Sequence, residues 1–378
     1  MTDIHEFDDI RPFLPEELPA AYERLLNDER FKAILPIVYP GIPFEKVAAM
    51  IRSGKTNLEF QKTCIYPVIQ GLLAKASKGL TADFTSLNGE GYTFISNHRD
   101  IVLDSALLDF ALVDEHHDTV EIAIGDNLLV YPWIKDLVRI NRSFIVQRAL
   151  TMRQMLMASA KMSKYMHYVV EEKGGNLWIA QREGRAKDSD DRTQDSVLKM
   201  MAISGDKDVI KNLKSLNIVP LAISYEYDPC DYLKAEEFQN KRDIEGFKKS
   251  QQDDLDNMSI GIFGYKGHIH YHAAPCINDW LDTLDPDMPK SELFPLIAAH
   301  IDEEIHAHYR LYPCNLAAAG MDVSAEEKAT FDAYLNQQLA KVTIEHPDMD
   351  FLRERMVTMY ANPARNQMAS KAKKMKII

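Results

Sequence analysis

The segment Asn97-His98-Arg99-Asp100-Ile101-Val102-Leu103-Asp104 sets a histidine before two carboxylates, two and six residues on. Histidine titrates near neutrality, so it can take a proton from an alcohol. A carboxylate on its other ring nitrogen would fix the tautomer and stabilise the imidazolium. Asp104 and Asp100 are both candidates for that carboxylate, although Asp104 also reads as a plain N-cap for the apolar stretch that follows. His98-Arg99-Asp100 spells the start of a kinase catalytic loop as well. That loop needs an asparagine where this chain has Ser105, and neither a preceding glycine-rich loop nor an Asp-Phe-Gly is present, so a kinase is set aside.

Two more segments supply cations. The apolar run Ser143-Phe144-Ile145-Val146 leads to Arg148, and Gln181-Arg182-Glu183-Gly184-Arg185-Ala186-Lys187 packs three cations around a glycine. Gly184 permits a tight turn, and arginine holds phosphate bidentately. Taken singly, each segment also reads as a strand cap or a solvated loop. His268, His270 and His272 alternate, and on a strand they would share one face. Successive pairs would stand about 7 Å apart, awkward for a single zinc. A polar strand face is the expectation there, and no metal site.

Each chemical segment follows a strand-like run. The runs are Tyr92–Ser96, Val120–Ile124, Ser143–Val146, Leu177–Ala180 and Val219–Tyr225, with a further one at 268–274. Helical patterns lie between them near 104–113, 127–139, 151–173 and 193–203. This alternation predicts an α/β fold with a central, parallel or mixed sheet flanked by helices. Open sheets of this kind carry their sites at the carboxyl ends of strands. Residues 15–78 read as helical, and so do 290–309, 324–342 and 349–360. The expected organisation is a helical N-terminal unit (1–80), an α/β domain (81–280) and a helical C-terminal extension with a basic tail (281–378).

The chain has 378 residues, 46% hydrophobic and 27% charged, with net charge −13. That is ordinary globular composition. The acidity argues against a nucleic-acid partner, whose phosphates need Lys and Arg. No apolar run is long enough to span a membrane, and the acidic N-terminus does not read as a secretory signal. Cys64, Cys230, Cys276 and Cys314 form no C-x-x-C pair, so free thiols in a reducing cytoplasm are expected. After Glu354 the charge turns basic, through Arg355, Arg365, Lys371, Lys373, Lys374 and Lys376. Such a stretch is either a solvated end or a weak tether to an anionic membrane surface.

The order of these segments, over residues 94–225, resembles the glycerol-phosphate and lysophosphatidate acyltransferase superfamily. That family has a His with an Asp five residues later, an apolar run ending in Arg, a Glu-Gly pair followed by Arg, and an apolar Val-Pro strand. Here these are His98, Arg148, Glu183-Gly184-Arg185 and Val219-Pro220. The chain departs from the pattern in two places. Position +5 is Leu103, so Asp104 matches with one inserted residue and Asp100 stays an alternative; and Gln181-Arg182 replaces the usual Phe-Pro before Glu-Gly. The resemblance implies an O-acyltransferase of phospholipid biosynthesis, with His98 as base. Arg148, Arg185 and Lys187 would bind an anionic acceptor, with Glu183 and Gly184 shaping the pocket. The donor would be acyl-CoA or an acyl carrier protein, with no further cofactor. The acceptor would be glycerol 3-phosphate, lysophosphatidate or another hydroxylated lipid. A cytoplasmic protein in weak peripheral contact with the membrane is implied. The alternative is a non-catalytic lipid or acyl-carrier binding protein of the same fold.

Overall fold

The computed structural model describes residues 2–89, 91–148 and 151–377; the side chains of 374–377, and with them Lys374 and Lys376 of the basic stretch, lie outside the described part. Five helices come first: α1 (Leu18–Asn27), α2 (Glu29–Val38), α3 (Phe44–Ser53), α4 (Asn57–Phe60) and α5 (Tyr66–Ala76). Among the described residues seven strands then build one sheet: β1 (Leu80–Asp83), β2 (Thr93–Ser96), β3 (Val120–Gly125), β4 (Ser143–Val146), β5 (Asn176–Ala180), β6 (Ile218–Tyr225) and β7 (Ile269–Ala273). Interleaved with them are α6 (Leu103–Asp114), α7 (Pro132–Ile140), α8 (Met152–His167), α9 (Asp195–Met201), α10 (Val209–Ser215), α11 (Asp231–Asp243) and α12 (Gln251–Phe263). The chain ends in α13 (Asn278–Leu281), α14 (Lys290–Ala307), α15 (Pro313–Ala318), α16 (Ala325–Leu339) and α17 (Met349–Ile377).

The sheet order is β1-β7-β6-β2-β5-β3-β4. β6, β2, β5, β3 and β4 run parallel, whereas β7 is antiparallel to β6 and β1 is parallel to β7. The sheet is therefore mixed. Helices cover both of its faces, so its central strands β2, β5 and β6 are buried almost throughout, β6 at every residue. The pleat sorts neighbouring side chains to opposite sides. Phe94, Trp178, Val219 and Leu221 enter the core shared with α6, whereas Ile95, Ile179 and Ala222 enter the one shared with α8, α9, α10 and α14.

Three features differ from the sequence expectation. β1 at the sheet edge is short and half-exposed, with no apolar run to announce it. α10, α11 and α12 lie where no helix is expected. In α11 the buried side chains include Asp231, Lys234, Glu236, Glu237 and Gln239, so the apolar period that marks a helix is missing. α17 continues past 360 to Ile377 instead of leaving a basic tail. Its buried side chains turn small or polar after Tyr360: Ala361, Ala364, Gln367 and Ser370. Gln367 donates to the backbone carbonyls of Ala307 and Tyr309, and Lys373 pairs with Glu303 at 2.7 Å. The C-terminal basic stretch is thus a docked helix, at least as far as Lys373.

Among the described residues no helix is long and apolar enough to cross a membrane. The four cysteines are free, three of them buried.

Candidate active site

β2 ends at Ser96, and the chain turns across the carboxyl edge of the sheet before α6 begins. His98 Nδ1 lies 2.7 Å from Asp104 Oδ2. The same oxygen accepts the backbone N–H groups of Arg99 (2.6 Å) and Asp100 (3.0 Å), and Oδ1 accepts the Tyr225 hydroxyl at 3.1 Å. Asp104 is thus a buried carboxylate with four donors, one of them the imidazole. An acceptor at Nδ1 places the proton on that nitrogen and leaves Nε2 with its lone pair. Among the described residues no hydrogen bond engages Nε2. Trp178 lies edge-on to the imidazole, ring centres 5.8 Å apart, and its indole N–H donates to Ser96 Oγ at 3.0 Å. Burial holds Tyr225 well above the usual phenol range, so it stays a donor to Asp104.

Asp100 has a different job. Its Oδ1 accepts the backbone N–H groups of Val102 (2.9 Å) and Leu103 (2.8 Å), capping the first turn of α6. Capping therefore falls to Asp100, and the imidazole contact to Asp104. Burial, reinforced by the charge of Asp104, raises the Asp100 carboxyl. Its other oxygen lies against Gly261 of α12, where any Cβ would collide with it.

The Arg99 side chain is buried. It pairs with Asp191 at 2.7 Å, both side chains buried. Burial works against the charge on Arg99, and Asp191 more than restores it. Asp191 belongs to the loop after β5, so this pair fastens the loops following β2 and β5 together. The carbonyl of Arg99 accepts from Lys234, which also pairs with Asp228.

The other sequence candidates separate into two groups. Arg148 follows β4 and lies against Gly125 at the end of β3, where it pairs with Glu183 at 3.0 Å. Gly184 has φ +68°, a left-handed turn that suits glycine. Beyond that turn Arg185 is buried and donates to Asn257 of α12 at 3.1 Å, while its Nη1 has no hydrogen-bond partner among the described residues. Lys187 lies 3.7 Å from Glu237 of α11. Burial pulls its ammonium down to about 8, against the opposing pull of Glu237. Gly184 thus divides the cations, with Arg148 toward β3 and Arg185 and Lys187 toward α11 and α12.

Sequence reasoning passed over Tyr225, Trp178, Asp191, Lys234 and Asn257. Tyr225 and Trp178 sit in apolar runs that read as core strands, and the other three belong to no motif. His270 and His272 do share a face of β7. There His272 stacks on His308 with ring centres 4.2 Å apart and meets Asp83 at 3.3 Å; His268 precedes the strand. Among the described residues no group of three or more His, Cys, Asp or Glu could hold a metal ion.

The family model described as Acyltransferase matches residues 81–224, the stretch that carries His98, Asp104, Arg148 and the Glu183–Lys187 loop. No curated protein matches the chain. Residues 81–224 are therefore an acyltransferase domain, of the glycerol-phosphate and lysophosphatidate acyltransferase superfamily.

Proposed function

We propose that the protein transfers a fatty acyl group from acyl-CoA or an acyl carrier protein to a hydroxyl of glycerol 3-phosphate, lysophosphatidate or a related lipid, as a step of phospholipid synthesis. The observation that carries this reading is the imidazole of His98, with Nδ1 on the four-donor carboxylate of Asp104 and Nε2 left open. Nε2 takes the proton of the acceptor hydroxyl as its oxygen bonds to the thioester carbonyl carbon. Asp104 stabilises the imidazolium that forms. The carbon–sulfur bond then breaks, and the proton passes from Nε2 to the departing thiolate. General base action contributes about 10²- to 10⁴-fold, and positioning of the acceptor supplies much of the remainder.

The acceptor is assigned an anionic group because of Arg185. A buried guanidinium nitrogen without a partner is costly unless a ligand meets it. Arg148, across the Gly184 turn and exposed enough to exchange Glu183 for a phosphate, would meet the same anionic group from the β3 side. Lys187 is the third cation, and Glu183 and Gly184 set the turn between them.

Thiol release from an acyl thioester, read with a chromogenic thiol reagent, tests the proposal across a panel of acceptors. The expected result is release that requires a phosphate-bearing or lipid acceptor. Tight binding of acyl thioester or lipid, with no release for any acceptor, would favour a non-catalytic carrier or lipid binder.

A further inference from the structure

α8 starts a few residues beyond the carboxyl end of β4, on the sheet edge that carries His98. Its last turns are anchored: Tyr165, Met166 and His167 are buried, and Lys161 and Lys164 pair with Asp9 and Glu6. Its first two turns are not. Every residue from Thr151 to Met157 is exposed. Four of them are large and apolar, with exposures of 88% for Met152, 54% for Met155, 67% for Leu156 and 65% for Met157. The helix is nonetheless well formed there, because Thr151 and Gln154 close a reciprocal capping box.

We infer that this projecting end of α8 inserts into the interface of an anionic phospholipid bilayer. Scattered exposed apolar residues are ordinary, but four within six positions of one helix form a patch. The exposed side chains surround the helix. A protein partner would cover one face of it, whereas a bilayer interface envelops a protruding end on all sides. Charge points the same way. Arg153 is the one charged residue between 151 and 157, and no acidic residue occurs from Arg148 to Val170, in a chain of net charge −13. This end can therefore approach an anionic surface that repels the rest of the molecule. An apolar end flanked by a basic side chain is the composition of interfacial helices. The contact would turn the His98 edge of the sheet toward the bilayer. It does not depend on the acyl-transfer reading and is tested without it.

The test is flotation of the full-length protein with vesicles of phosphatidylglycerol and phosphatidylcholine in equal parts. The comparison is with the variant Met152→Gln/Met155→Gln/Leu156→Gln/Met157→Gln. Burying even one Leu-sized side chain is worth on the order of tenfold in partition, so the variant should bind at least about tenfold more weakly with its thermal unfolding unchanged. Met152→Trp gives a second readout that keeps the apolar end. Its fluorescence should shift to the blue on adding vesicles, relative to the parent protein. Equal flotation of parent and fourfold variant, or no flotation of the parent, overturns the inference. So does unchanged vesicle binding with a loss of affinity for acyl carrier protein, which would assign the patch to a protein partner.

Discussion

The loops after β2 and β5 lie side by side on the sheet edge but are built in different ways. In the first, the contacts of the histidine–carboxylate pair are mostly local. Asp104 collects His98 and the two following backbone N–H groups, Asp100 caps α6, and Tyr225 is the one distant donor to Asp104. The second is held from far away in sequence. Glu183 meets Arg148, Arg185 meets Asn257, Lys187 meets Glu237, Asp191 meets Arg99, and Asp190 accepts from Asn366 of α17 at 3.0 Å. In the proposed reaction the first loop would hold the proton-transfer pair, whose fixed geometry a short local loop can supply. The second would bind the acceptor and takes its orientation from whatever packs around it.

The largest effect should come from inside the first loop. Asp104→Asn places an amide against Nδ1 and can hold His98 in the wrong tautomer, so turnover should fall by up to about 10⁴-fold. Asp100→Asn keeps an acceptor for the α6 N–H groups and should alter turnover little. Steady-state rates of the two variants decide the matter, and the reverse order would exchange the roles of the carboxylates.

The link between the loops comes next. Removing one partner of a buried ion pair costs about 3–5 kcal/mol, so Asp191→Asn should lower stability by roughly that amount in urea unfolding. An apolar pair at Arg99 and Asp191 should recover much of it. No loss in Asp191→Asn would mean that the loops are fastened elsewhere.

A smaller, pH-dependent effect is expected at His306, whose Nε2 contacts the backbone carbonyl of Asp191 at 3.0 Å. Burial depresses its imidazole from 6.5 to about 4. The unfolded chain protonates this histidine below about pH 6.5, and the folded chain only near pH 4. Stability should therefore fall as pH drops through that window, by up to about 1.4 kcal/mol per pH unit. His306→Gln should remove that part of the slope in unfolding measured from pH 7 to pH 4, while an unchanged slope would assign it to other groups.

The smallest effect is at Gly184. An alanine there must adopt a left-handed backbone with open space around its methyl, at a cost of about 1 kcal/mol. A modest fall in melting temperature, with a raised KM for the acceptor, is the expected result. Unchanged KM would place the turn outside the acceptor pocket.

The contrast between the loops also decides what the sequence could reveal. β2 through β7 are legible because buried parallel and mixed strands read as short apolar runs, and the His98–Asp104 pair is legible because its two members lie six residues apart. The surroundings of Arg185 and Lys187 are not. They come from α11 and α12, whose inward side chains include many charged and amide groups, so hydrophobic periodicity passes over them. The basic C-terminus misleads for the opposite reason. Its lysines advertise a free end, whereas Gln367, Ser370 and the small residues between Tyr360 and Gln367 dock the helix without an apolar stripe.

In the proposed reaction His98 removes the proton of an acceptor hydroxyl. The most direct test of this step follows thiol release and ester formation in one reaction, with parent protein and His98→Ala, after both are shown to unfold at similar temperature. The expected result is one ester formed per thiol released by the parent protein, and a rate about 10²- to 10⁴-fold lower for His98→Ala at the same acceptor concentration. Ester formation by His98→Ala at the parent rate would contradict it.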